Sequence, residues 1–301
     1  MTIKESISLL RLRTLPLSAS GVILGSCLAA ADYKTSPLVA VFILLTALSL
    51  QIVSNISNDI GDFRNGVKSS RDDNNFVSLS EGQMSEKEIK TLLKIWIGIT
   101  VANGLLMIYF SFGTLFCLDS FILMILGYFA INAAMKYTLG KNPYGYRGLG
   151  DIYVFIFFGL VSVVGSYFVC SHSFGTWMTF LPATAIGCFS VAVLNVNNIR
   201  DIESDRQSRV TVAIRLGERN AKIYQTVLIS IGWACLLCFT LMRIFDIWHF
   251  LFFLTLPLYI LHLLIVWKNS GKSLDKALPL LVISTFALSV LFGLGFIVFL
   301  L

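Results

Sequence analysis

Long apolar runs alternate with short polar segments along the whole chain. PLVAVFILLTALSLQIVSNIS (37–57) carries no charge, and neither does IWIGITVANGLLMIYFSFGTLFCL (95–118). Such runs approach or exceed the roughly 18–20 residues an α-helix needs to cross the hydrocarbon core. The pattern predicts nine spans, at about 14–31, 37–57, 95–116, 119–135, 152–170, 175–197, 223–242, 247–267 and 277–300. The first and fourth are short. No soluble domain stands out, so residues 1–301 read as one integral membrane domain.

Composition agrees. Of 301 residues, 56% are hydrophobic and 13% charged, and the mean hydropathy is +0.80. A soluble domain needs far more charge on its exterior. Charge placement then supplies sidedness. With the N-terminus in the cytoplasm, the inner segments hold 21 of the 23 Lys and Arg residues, all but Lys34 and Arg243. The positive-inside bias predicts that orientation; the expected location of this multi-pass protein is the plasma (inner) membrane.

Two polar segments break the pattern more sharply than the rest. SNDIGDFRNG (57–66) opens the second connection and NNIRDIESDRQSR (197–209) the sixth, so the acidic motifs fall within 57–90 and 197–222 on one side of the membrane. Their Asn, Ile and Asp positions overlay, through a faint duplication or through chance. If each motif continues the helix it ends, Asp59 and Asp62 lie at i and i+3, and Asp201 and Asp205 at i and i+4. Asn58 and Asn198 then share those faces. Like charges so placed repel, and more strongly at the edge of a low-dielectric bundle, so a cation is needed to offset them.

Mg²⁺ fits that need. It takes oxygen ligands and is typically held by one or two carboxylates plus substrate phosphates. Arg64, Arg71, Lys141, Arg200 and Arg206 could take the remaining phosphate oxygens. At the rim of a membrane, the natural diphosphate carries a lipid tail. A solvated charged loop and an ion path are the competing readings; intramembrane acids often mark ion or proton routes, but these acids sit at span ends. The six cysteines scatter through apolar segments and read as packing residues. The three histidines form no metal-type cluster and read as loop or interface residues. GVILG (21–25) places glycines at i and i+4, which allows close helix approach.

At the acidic motifs the chain resembles the UbiA superfamily of intramembrane aromatic prenyltransferases. The first motif is similar to NDxxDxxx(D/G), met by Asn58, Asp59, Asp62 and Gly66, and the second to DxxxD, met by Asp201 and Asp205. Gly66, the phrase NNIRDIESDR followed by TVAIRLG (211–217), and YTLGKNPYGYRGLGD (137–151) look most like the 1,4-dihydroxy-2-naphthoate polyprenyltransferases of menaquinone synthesis. RLRTLP (11–16) resembles the family's RPxTLP opening. The stretch GVKSSRDDNNFVSLSEG (66–82) departs from the menaquinone-type pattern, with Lys68, Asn75 and Val77 where Asp, Pro and Arg are usual.

The resemblance implies an all-α membrane protein of about nine helices around a central cavity, capped by the second and sixth connections. It implies Mg²⁺-dependent transfer of a polyprenyl group from polyprenyl diphosphate to 1,4-dihydroxy-2-naphthoate, a small aromatic acid. CO₂ and diphosphate are lost and demethylmenaquinol forms. Asp59, Asp62, Asp201 and Asp205 would hold the metal. Asn58, Asn198, Arg71, Tyr137 and Lys141 would contact diphosphate, with Tyr137 also placed to stabilise an allylic cation. The lipid bilayer is a partner and nucleic acid is not. Another aromatic acceptor, or a non-catalytic binder or transporter of lipid diphosphates, are the alternatives.

Overall fold

The computed structural model describes residues 9–64, 85–206, 209–243 and 246–298. Among these, nine helices are long and apolar enough to cross a membrane: α1 Leu12–Asp32, α2 Pro37–Arg64, α3 Glu86–Phe112, α4 Leu118–Lys136, α5 Gly150–Ser171, α6 Trp177–Arg200, α7 Val212–Met242, α8 Ile247–Lys268 and α9 Gly271–Val298. No sheet forms among the described residues, and one isolated parallel bridge joins Arg147 to Val210. The all-helical, nine-span expectation is met, and the chain is a multi-pass membrane protein. Large apolar side chains stand exposed along α3 and α4, among them Ile95, Val101, Tyr109, Phe121, Leu126 and Phe129. Water does not tolerate so large a patch, whereas lipid tails do.

Three helices start earlier than hydropathy alone indicates, α9 through a 3₁₀ stretch at Gly271–Lys276. α3 begins at Glu86 because Ser85 and Glu88 form a reciprocal capping box, which satisfies two orphan N–H donors in a polar stretch. α7 begins at Val212 and is broken at Gly217, whose φ of 75° is left-handed. α3 stops at Gly113, again left-handed, with its N–H donated to Tyr109 O at 2.8 Å. Glycine adopts that conformation at no steric cost.

The chain divides into two compact units. The first comprises the N-terminal segment through Leu15, then Val41–Gly150 and Glu203–Thr211. Its core is Leu9 with Ile52, Val53, Ile56 and Ile60 of α2 and Ile89, Leu92 and Leu93 of α3. The apolar stripe at 52, 56 and 60 follows helical spacing. The neighbouring stripe on α2 is polar, running Asn55, Asn58, Asp59 and Asp62. Asn55 Nδ2 donates to Leu10 O at 2.9 Å and to Thr14 Oγ1 at 3.0 Å, which holds the N-terminal segment along α2.

The second unit comprises Pro16–Ala40, Asp151–Ile202 and Val212–Leu301. Its core gathers Leu24, Leu28, Phe189, Phe252, Tyr259 and Phe292. Residues Phe155–Val164 of α5 form a π-helix. Glycines face it from two helices: a Cβ on Gly25 would meet Val163 O at 2.2 Å, and Gly159 lies against Gly187 of α6, where an added Cβ would meet Gly187 Cα at 2.7 Å. The GVILG expectation of close packing is met.

His172 lies just past the end of α5, in a connection as expected, whereas His249 and His262 are buried within α8, 3% and 0% exposed. His262 has its place in a buried polar chain. Asn195 Nδ2 donates to Ala221 O at 3.0 Å and to Gln225 Oε1 at 2.8 Å. Gln225 Nε2 lies 3.0 Å from His262 Nε2, and His262 Nδ1 lies 3.0 Å from Ala277 O. A backbone carbonyl can only accept, so Asn195 must present nitrogen and His262 must carry its proton on Nδ1. Gln225 is thereby fixed with its nitrogen towards the imidazole. Asn195→Ala would leave buried acceptors on Ala221 and Gln225 without this donor, at a cost of about 1–3 kcal/mol. We expect a lower thermal midpoint in detergent, and an unchanged midpoint would argue against the chain.

Candidate functional site

The first acidic motif stays helical to Arg64, so Asn58, Asp59 and Asp62 share the polar stripe of α2. Each has a partner in the first unit. Arg11 forms an ion pair with Asp59, and both side chains are nearly buried. Arg11 itself is left-handed, with φ of 47°. Thr138 Oγ1 donates to Asn58 Oδ1 at 3.1 Å and lies 3.0 Å from Ser57 O. Tyr146 O–H donates to Asp62 Oδ1 at 2.7 Å. Gly61 makes this possible: a Cβ there would meet Thr138 O at 2.6 Å, so the helix lies directly on the backbone of the fourth connection.

That connection folds back on itself. Gly145 N–H donates to Tyr137 O at 3.0 Å, Tyr144 O–H donates to Ala133 O at 2.7 Å, and the Tyr137 and Tyr144 rings pack edge to face at 5.3 Å. Tyr137 is half-buried and Lys141 exposed.

The second motif departs from expectation. α6 ends at Arg200, and Asp201, with φ of −98° and ψ of 10°, leaves the helix. A short helix, Ile202–Asp205, follows. Asp201 and Asp205 therefore do not share one continuous helix face. Asp201, in the second unit, accepts from Arg200 Nε at 2.8 Å and Nη2 at 2.7 Å. Arg200 also reaches Asp275 Oδ1 at 3.0 Å and Asn197 Oδ1 at 2.9 Å, and Asn198 is buried nearby in sequence.

Asp205, in the first unit and 2% exposed, lies 2.8 Å from Arg209 Nε. Burial alone would lower the Arg209 pKa. The Asp205 carboxylate, then Asp62 and Tyr137, outweigh it and hold the guanidinium above its ordinary value. Val210 N–H donates to Tyr146 O at 3.0 Å, beside the Arg147–Val210 bridge. Within one unit, then, Asp205 of the second motif pairs with Arg209, and Asp62 of the first motif and Tyr137 of the fourth connection add to the rise in its pKa.

Several side chains here carry no role in the sequence reading: Arg11, Thr138, Tyr146 and Arg209. Of the cations expected to serve phosphate, Arg64 instead pairs with Glu86, and exposed Arg206 lies 3.6 Å from Glu203. Arg71 and Gly66, with the atypical positions 68–77, lie outside the described residues. Among the described residues no three Asp, Glu, His or Cys groups converge to hold a metal on their own. A cation that shares its sphere with phosphate needs only one or two carboxylates. The donors are carboxylate and amide oxygens, half-buried or buried, with cations already beside them. That set fits Mg²⁺ with a diphosphate.

The profile of the UbiA prenyltransferase family matches residues 19–290. The chain belongs to this family. UbiA relatives named 1,4-dihydroxy-2-naphthoate octaprenyltransferase include one from Escherichia coli (strain K12), 40% identical over 252 residues, or 83% of this chain and 81% of that protein. Another, from Haemophilus influenzae, is 35% identical over 295 residues, or 96% of this chain and 94% of that protein. Among solved structures, the apo UbiA homologue from Aeropyrum pernix K1 shares the fold with a TM-score of 0.70 over 100% of both chains at 17% identity. The UbiA homologue from Archaeoglobus fulgidus bound to GPP and Mg²⁺ aligns with a TM-score of 0.65 at 16% identity, over 98% of this chain and 99% of that one.

Proposed function

We propose that this protein transfers a polyprenyl group from polyprenyl diphosphate to 1,4-dihydroxy-2-naphthoate, using Mg²⁺, and releases diphosphate and CO₂. The observation that supports the chemistry is that Asp205 pairs with Arg209 at 2.8 Å in the same unit in which Tyr146, whose backbone is tied to Val210, holds Asp62. The acceptor is supported by the names of relatives at 35–40% identity, and the metal by the homologue bound to GPP and Mg²⁺.

Asp59, Asp62, Asp201 and Asp205 are the proposed metal ligands, and Asn58, Asn198, Tyr137, Lys141 and Arg71 the proposed diphosphate contacts. Held by these residues, Mg²⁺ would supply neutralisation of charge on the departing diphosphate. The chain's own cations donate charge-assisted hydrogen bonds to phosphate oxygens, help aimed where negative charge develops. The allylic C–O bond breaks, its electron pair leaves with diphosphate, and a ring carbon of the acceptor forms the new C–C bond. Loss of CO₂ then restores aromaticity. The Tyr137 ring is the proposed stabiliser of the allylic cation, a contact that contributes about 0.5–2 kcal/mol. The lysine and arginine excess on one side supports an inner-membrane orientation with the motifs in the cytoplasm.

Purified protein, labelled polyprenyl diphosphate, Mg²⁺ and a panel of aromatic acids test this reading. Release of inorganic diphosphate and CO₂ is expected with dihydroxynaphthoate and not with 4-hydroxybenzoate. Equal turnover of other acceptors, or none at all, would overturn it.

A further inference from the structure

Arg209 is held in an unusual way. Its N–H donates to Asp205 O at 3.0 Å, and the next residue is tied to Tyr146 O at 3.0 Å, so its backbone is fixed at both ends. Its side chain is 20% exposed, while the carboxylate it faces, Asp205, is 2% exposed. Asp62 of the other motif accepts from the Tyr146 hydroxyl at 2.7 Å, and Tyr146 is the residue whose backbone oxygen holds Val210; the Asp62 charge adds to the rise in the Arg209 pKa. A buried carboxylate, with a half-buried one of the same sign in the same unit, needs a cation, and losing that cation leaves buried charge uncompensated. A guanidinium and a divalent metal compete for the same carboxylate lone pairs. Once displaced, a planar fork of N–H donors is well matched to phosphate oxygens.

We propose that Arg209 is an internal counter-ion for both acidic motifs, which yields Asp62 and Asp205 to the metal and turns its guanidinium onto the incoming diphosphate. This rests on the function proposed above and adds a substrate-binding residue to it. A permanent structural ion pair would behave differently, because it would serve neither ligand.

Two ligands, titrated separately into the full-length protein in detergent, tell these apart by the sign of their response. Calorimetry with Mg²⁺ alone should show tighter binding to Arg209→Gln than to the wild type, since the competing cation is gone. Inorganic diphosphate, titrated at saturating Mg²⁺, should bind that variant about 10–100-fold more weakly, the loss of a charge-assisted contact. Arg209→Lys keeps the charge without the fork. It should bring Mg²⁺ affinity back towards the wild-type value and recover part of the diphosphate affinity, and it carries the same test if the Gln variant fails to fold. Shifts of the same sign for both ligands, or no shift in either, would overturn the role of Arg209. A wild-type protein that binds no diphosphate would instead overturn the site itself, and the proposal with it.

Discussion

Replacing Asp62 with Asn is expected to lower prenyl transfer by at least about 10²–10³-fold, the scale on which a single electrostatic stabiliser acts in a preorganised site. Asp62 is the cleanest of the four acids to test. It is half-buried on the last turn of α2, and Tyr146 donates to its Oδ1 at 2.7 Å. The Asn side chain keeps that acceptor, so the fold should survive with a thermal midpoint close to the wild type. What it loses is one negative charge. Asp205→Asn is less clean, because it would strip the nearest carboxylate from the Arg209 guanidinium, 2.8 Å away. The check is product formed per folded protein, with dihydroxynaphthoate as acceptor. Near-normal turnover by Asp62→Asn would remove the first motif from the chemistry.

Gly61→Ala should damage stability and activity together. An added Cβ would meet the Thr138 Cβ at 2.5 Å, its O at 2.6 Å and its C at 2.8 Å. Two of these are backbone atoms of a buried residue, so neither can swing aside. Overpacking of this kind costs about 1–3 kcal/mol. Relief requires the end of α2 to lift away from residues 137–146. That movement stretches the hydrogen bonds from Thr138 to Asn58 and from Tyr146 to Asp62. Gly98 on α3 serves as the control, since a Cβ there meets nothing within 4 Å. Gly98→Ala should be neutral or slightly stabilising, because it removes freedom from the unfolded chain. Equal behaviour of the two variants would show that contact at Gly61 sets nothing.

Hydropathy made the nine spans legible, because lipid demands long apolar helices and little else satisfies it. Helix starts were less legible. α3 begins in SEKEIK, where the capping box at Ser85 and Glu88 acts through two hydrogen bonds and adds no apolar signal. The pair of acidic motifs was visible as chemistry, but their partners were not. Arg11 and Asp59 are 48 residues apart, and Tyr146 and Asp62 are 84 apart. Spacing along the chain carries no trace of such pairs. The assumption of a continuous helix through Asp201 failed for a local reason: NNIRDIESD contains neither Gly nor Pro, and the turn is marked by the Arg200 side chain closing on its own neighbour. Arg209 closed the stretch that drew notice, yet nothing in its immediate surroundings distinguishes it from Arg200 or Arg206.

The interior line of Asn195, Gln225 and His262 bears on the alternative of ion or proton conduction. Its donors all point outward from Asn195, to Ala221 O at one end and through Gln225 and His262 to Ala277 O at the other. Carboxamides do not readily release and regain protons, so two of the three members cannot hand charge along. This line is a clamp between helices, and a relay for hydrogen ions would have to be built elsewhere.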